Sequence, residues 1–195
     1  MHRRTALILA GTATLAACAP TGGAPQLGAD GRPLPQVYRI EPGMTDQVYF
    51  RLLDAVNALR TARGLAPVRY NAKLNAAAAT HSRDMSVQNR PWHFGSDGSS
   101  PLTRVQRLGY EGRLGGELIS ETYETELETL AAWMAQADTR ALILDPAIDE
   151  IGFSWWQEPN GKIWWTMVTG TAGAAGQSLS PAGQAGLPAQ APFVN

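Results

Sequence analysis

The stretch EIGFSWWQEPNGKIWWTMVT, residues 150–169, holds the pattern that decides the architecture. About Glu150 to Trp156 and Lys162 to Thr169 read as two strands around Pro159-Asn160-Gly161, whose Asn-Gly pair suits a tight hairpin turn. Adjacent residues of a strand point to opposite faces, so Trp155-Trp156 and Trp164-Trp165 each put one indole on either side of the sheet. A sheet that is apolar on both faces needs helices on both faces. The expected fold is an α/β, three-layer α/β/α sandwich with a small, mostly antiparallel sheet. Core packing is the expected role of the indoles, ahead of an exposed aromatic platform for sugar, because aromatic residues bury the most area per residue.

Upstream of the hairpin the pattern is helical. Val48, Leu52, Val56 and Leu59 form one stripe of a helix expected from Thr45 to Arg63, with Thr45 placed to cap its start and Gly64 its end. Asn71 opens a second helix in which Leu74, Ala77, Ala78, His81 and Met85 share a face, so His81 is expected on the buried side. Ser100-Pro101 starts a short third helix, with proline at the first position where its missing N–H costs nothing, and Gly109 ends it. Leu114 to Ser120 reads as extended. Thr125 and Glu128 make a capping box for a helix carrying Leu127, Leu130, Ala131 and Met134.

The two ends of the 195-residue chain have a different character. Met1-His2-Arg3-Arg4 is basic, and Thr5 to Ala17 is an apolar run of small residues, which reads as an export signal over residues 1–17, too short to span a membrane permanently. Its end, Leu15-Ala16-Ala17-Cys18, resembles the lipobox of bacterial lipoproteins, in which the cysteine is acylated and begins the mature chain. Cys18 is the only cysteine, so the mature chain is expected to have no disulfide, thiol nucleophile or thiolate metal site. Ala19, in place of the Asp usual in lipoproteins kept at the inner membrane, points to an outer-membrane anchor facing the periplasm. Arg3-Arg4 raises twin-arginine export, which the flanking residues fit poorly. Residues 18–44, rich in Pro, Gly and Ala up to about Gln36, read as a tether. Residues 171–195 read as a disordered tail, and 45–170 as the folded domain.

Charge narrows the partners. Removing Arg3 and Arg4 with the signal takes the 16 basic residues to 14 against 17 acidic, a net charge near −3, with no basic patch. Nucleic acid is therefore excluded as an expected partner, since phosphate binding needs a clustered positive surface.

Taken in order, the landmarks resemble the CAP superfamily of cysteine-rich secretory, antigen 5 and pathogenesis-related proteins, in particular its short bacterial SCP-like branch. They run from Val56-Asn57-Ala58-Leu59-Arg60 and Arg63-Gly64-Leu65-Ala66-Pro67-Val68 through the second-helix stripe to His93 and Asp97-Gly98-Ser99-Ser100-Pro101. Arg104, Gly109-Tyr110, Gly116-Glu117, Trp133-Met134, Arg140 to Pro146 and Ile151-Gly152 follow, and the resemblance covers roughly Val48 to Gly170. It implies a cleft of two histidines and two acidic residues, able in some members to bind a divalent cation. His93 matches the first histidine, and Glu117 the glutamate of a Gly-Glu-Asn motif whose Asn is here Leu118. Thr139 stands where the second histidine is expected, and the second acidic position falls near Gln136.

These departures weigh on the chemistry. A catalytic zinc site normally has three protein ligands and an open position, whereas the mature chain has only His81 and His93. A divalent cation, held by His93 and Glu117, remains the one cofactor the residues would admit. No G-x-S-x-G elbow is present, and Ser96, Ser99 and Ser100 read as turn and capping residues. The expected function is a non-catalytic binding module of the cell envelope, taking a lipid, peptide or envelope protein in a cleft of His93, Glu117, Thr139 and Gln136. The alternative is a metal-assisted or acid/base hydrolase acting on peptide or cell-wall material, with His93 as base and Glu117 as its orienting partner.

Overall fold

A computed structural model describes residues 37–173. The stretch read as an export signal, Cys18, the stretch read as a tether up to Gln36, and residues 174–195 lie outside the described residues. In chain order the elements are α1 (Thr45–Thr61), β1 (Arg69–Tyr70), α2 (Ala72–Gln88), α3 (Pro101–Arg107), β2 (Arg113–Thr122), α4 (Glu126–Ala135), α5 (Ala137–Ile143), β3 (Glu150–Gln157) and β4 (Ile163–Thr171). No helix among the described residues is long and apolar enough to cross a membrane.

The sheet runs β1-β3-β4-β2, parallel only between β1 and β3. Alternation along the β3–β4 hairpin does what the tryptophan pairs demand. Trp155 and Trp165 face the α1/α4/α5 layer with Phe153, and the Trp165 ring stacks on Phe153 at 5.3 Å. On the other face, covered by α2 and α3, Trp164 is fully buried, while Trp156 is partly exposed under the guanidinium of Arg83. A hydrogen bond from Gly161 N to Glu158 O closes the hairpin, and among the turn residues positive φ is confined to Gly161.

Most helix ends follow local chemistry. Asn71 Oδ1 accepts from the amides of Lys73 and Leu74, Ser100 caps α3, and Thr125 with Glu128 forms the capping box of α4. Gly64, at φ 71°, ends α1, with its N–H donating to Thr61 O and the Leu65 N–H to Arg60 O, the Schellman arrangement. The start of α1 differs from expectation: Met44 is the N-cap, without a side-chain bond, and Thr45 lies inside the first turn. On α4 the face turned inward carries Glu126, Thr129, Leu130 and Trp133. The expected stripe is therefore only partly buried. Leu127, Ala131 and Met134 instead border an apolar groove of about 730 Å³ shared with α1.

Three contacts lock the layers. Gly152 is where the start of α2 crosses β3, and a Cβ there would lie 2.1 Å from the backbone of Leu74 and Asn75. Arg60, at the end of α1, is fully buried. It donates to the carbonyls of Ala66 (2.8 Å), Ile143 (2.8 Å), Asp145 (2.9 Å) and Ile148 (3.1 Å). Its desolvation lowers the guanidinium pKa, opposed by Asp145, and four carbonyl dipoles replace the lost water. Finally, Gln157 accepts from Ile40 N and donates to Tyr38 O, fastening residues inside the stretch read as tether to the hairpin.

Candidate functional site

The site grows from β2. Leu118 faces the α1/α4/α5 layer, so alternation sends the Glu117 side chain toward α2 and α3, where it is 2% exposed. A carboxylate so buried needs a counter-charge and hydrogen bonds. Arg104 of α3, 5% exposed, supplies the charge, its Nη2 donating to Glu117 Oε2 at 2.6 Å. The same guanidinium donates to Ser99 O (2.9 Å) and His93 O (3.1 Å), fixing the loop before α3.

His93 rides on that loop. Its Nδ1 is 3.0 Å from Glu117 Oε1. Because an ionised carboxylate only accepts, the neutral imidazole carries its proton on Nδ1 and leaves Nε2 as an acceptor. Half of the side chain is exposed. His81, from the buried face of α2, comes to the same oxygen: its Nε2 donates to Trp92 O at 2.9 Å and lies 3.5 Å from Glu117 Oε1. Burial, the largest influence, pushes the His81 pKa down against the attraction of Glu117. The imidazole is therefore neutral at pH 7, and the 3.5 Å contact is not an ion pair.

Two of the residues expected in the cleft meet, His93 and Glu117. The other two do not join them. Thr139 donates its hydroxyl to Trp133 O at 2.5 Å, and Gln136 is the exposed N-cap of α5, without a side-chain capping bond. The sheet explains this: α5 packs Ile143 and Leu142 against the β2 face opposite to Glu117, Leu142 lying over Gly116. The residues that do complete the group, His81 and Arg104, were legible as a histidine on a buried stripe and an arginine in a short helix. Neither was assigned to the site from sequence.

The donor set does not fit the divalent cation that the resemblance implies. Glu117 Oε1 already faces two imidazoles and Oε2 faces a guanidinium, so a cation at the carboxylate would confront Arg104. Among the described residues no three His, Cys, Asp or Glu side chains are grouped to hold a metal. What the group offers is an oriented imidazole edge, backed by a neutralised carboxylate.

Fold and site together define a small α/β/α domain built around a guanidinium–carboxylate–imidazole cluster. The family model CAP, Cysteine-rich secretory protein family, matches residues 53–169, and the chain belongs to that family. It is 29% identical over 114 residues to the Uncharacterized protein YkwD of Bacillus subtilis (strain 168), a match that covers 58% of this chain but 44% of that relative. Among solved structures, an outer surface protein from Borrelia burgdorferi aligns with a TM-score of 0.62 at 15% identity, covering 70% of this chain and 99% of that one. An extracellular protein containing a SCP domain from Bacillus anthracis gives 0.59 at 19% identity, covering 65% and 41%. These two likenesses are likenesses of fold.

Proposed function

We propose that the chain is a non-catalytic binding module of the bacterial cell envelope, whose recognition edge is the exposed Nε2 of His93. One observation carries this reading. The oxygens of Glu117 are committed to Arg104 and His93, and of the cluster's side chains only His93, half exposed, is accessible. Such an edge accepts a hydrogen bond from a lipid headgroup, a peptide or an envelope protein. Envelope placement is supported by the signal-like pattern of residues 1–17 and by the two structural relatives, one an outer surface protein and one extracellular. Acylation of Cys18 would tether the domain, each buried methylene contributing about 0.8 kcal/mol.

The test is in-cell cross-linking of the full chain and of His93→Ala, a change at a half-exposed side chain. A partner recovered with wild type and lost with the variant is expected; identical partners from both would overturn the reading. Mass spectrometry of the envelope-extracted chain should find lipid on Cys18, and Cys18→Ser should release the protein into the soluble fraction. A second reading has its own observation: a carboxylate 3.0 Å from Nδ1 with Nε2 open is also the geometry of a general base. Turnover of peptide or cell-wall substrates that disappears with His93→Ala would favour it over binding.

A further inference from the structure

Beside Arg104, α2, the loop before α3 and α3 itself border an open cavity of about 480 Å³. That volume lies in the range of small-ligand sites, about 300–1,000 Å³. Three arginines line it, Arg83, Arg104 and Arg107, with two aspartates, Asp84 and Asp97. The acidic pair is engaged in building the wall. Asp84 accepts from Ser96 N and Oγ, both at 2.6 Å, and from Gln88 Nε2 at 2.9 Å, while Asp97 accepts from Ser99 N and from Arg107.

The cationic side has capacity left over. Arg83 makes no ion pair among the described residues and rests its guanidinium 5.2 Å over the Trp156 ring. Arg104, 95% buried, has an Nε with no hydrogen-bond partner among the described residues, an atom that a native interior rarely leaves so. Thr80, Val87 and Leu108 supply apolar wall. Val87 is 75% exposed and Leu108 37%, so both present bare aliphatic surface at this one place.

We infer that this cavity is a binding site for a peptide segment ending in a free carboxylate. Each part of the lining selects for one part of that ligand. A guanidinium pairs with a carboxylate through two parallel N–H donors, which Arg83, without an ion pair among the described residues, offers, while Arg107 stays paired with Asp97. An ionised carboxylate has about four acceptor positions, so Asp97, with two of them used, takes the amide N–H groups that a peptide has and a fatty acid or phosphate lacks. The same two aspartates repel polyanions, so a single negative charge is favoured over a phosphorylated or nucleic-acid chain. The aliphatic wall suits small or branched apolar side chains. This site goes beyond the reading of His93 and is independent of it, since neither His93 nor Glu117 borders the cavity.

The test is a titration of the isotope-labelled full chain with acetyl-Ala-Ala-Leu, followed by amide chemical shifts and compared with the C-terminally amidated peptide and with inorganic phosphate. Saturable shifts are expected at residues 80–87 and 96–108, with binding at least about tenfold weaker for the amidated peptide and for Arg83→Gln, which removes a charge outside the loop's own hydrogen bonds. Three outcomes would each overturn the site: no saturable shift up to about 10 mM peptide, equal affinity for acid and amide, or phosphate shifting the same amides as tightly. None of them bears on the cross-linking result at His93.

Discussion

Replacing Arg104 with methionine keeps a side chain of similar length and removes the one guanidinium that, among the described residues, contacts a carboxylate that is 2% exposed. In Arg104→Met, Glu117 is left facing two imidazoles, one of them held neutral by burial. The carbonyl of His93 loses its guanidinium donor as well, while Ser99 O keeps only the Gly95 N–H. Breaking a buried pair by removing one partner costs about 3–5 kcal/mol, because an uncompensated charge stays inside. For a domain of this size that corresponds to a fall of about 10–15 °C in Tm, or about 2 M in the urea midpoint. Tryptophan fluorescence in urea provides the assay, with Glu117→Gln and the double variant completing a cycle. The double variant has no buried charge left at the pair, so it should be more stable than Arg104→Met, with a coupling energy of at least about 2 kcal/mol. A loss below about 1 kcal/mol for Arg104→Met, additive with Glu117→Gln, would mean that water screens the pair and that the cluster is not a buried one.

The pH profile of stability should carry the signature of His81. Its folded pKa is lowered by burial, so the unfolded chain binds the extra proton. The stability it contributes is complete above the unfolded value of about 6.5 and is lost as pH falls toward the lower folded value, at no more than about 1.4 kcal/mol per pH unit. Urea midpoints for wild type should therefore drop on acidification through this window more steeply than for His81→Gln, which keeps an amide donor for Trp92 O; parallel profiles would contradict the assignment. Gly152→Ala should be among the most damaging single-methyl changes in the domain, costing about 3 kcal/mol or more, since its Cβ would overlap the backbone where α2 starts. A calorimetric melting point within a few degrees of wild type would show that α2 can move off β3.

The tryptophan pairs made the layers legible because period two is a purely local rule, and the caps at Asn71, Ser100 and Thr125 were legible because each side chain bonds an amide within three residues. Two elements escaped. β1 is two residues long and exists only through parallel pairing with β3, some 80 residues later, and α5 lacks a side-chain cap to announce it. The site was half legible for a similar reason. His93 and Glu117 stand out as motif residues, whereas the role of Arg104 follows from a strand's choice of face combined with the landing place of a seven-residue helix. Thr139 and Gln136 were grouped with them because they stand where the resemblance puts the second histidine and the second acidic residue. The sheet that separates them is a tertiary fact, invisible to spacing.

The four carbonyl bonds of Arg60 bear on the time course of folding. Three of its acceptors lie 83 to 88 residues further along the chain, and β1 and β2 likewise wait for β3 and β4. A nascent chain made only as far as Ala135 has its first four helices with β1 and β2, but neither strand has the partner it pairs with. The energetic return on closing such long loops arrives only when the hairpin at 150–171 has been synthesised. The domain therefore cannot be assembled piecemeal from its N-terminus. It folds as one late cooperative event, and any truncation that removes β4 should yield a chain with no native core rather than a smaller folded one.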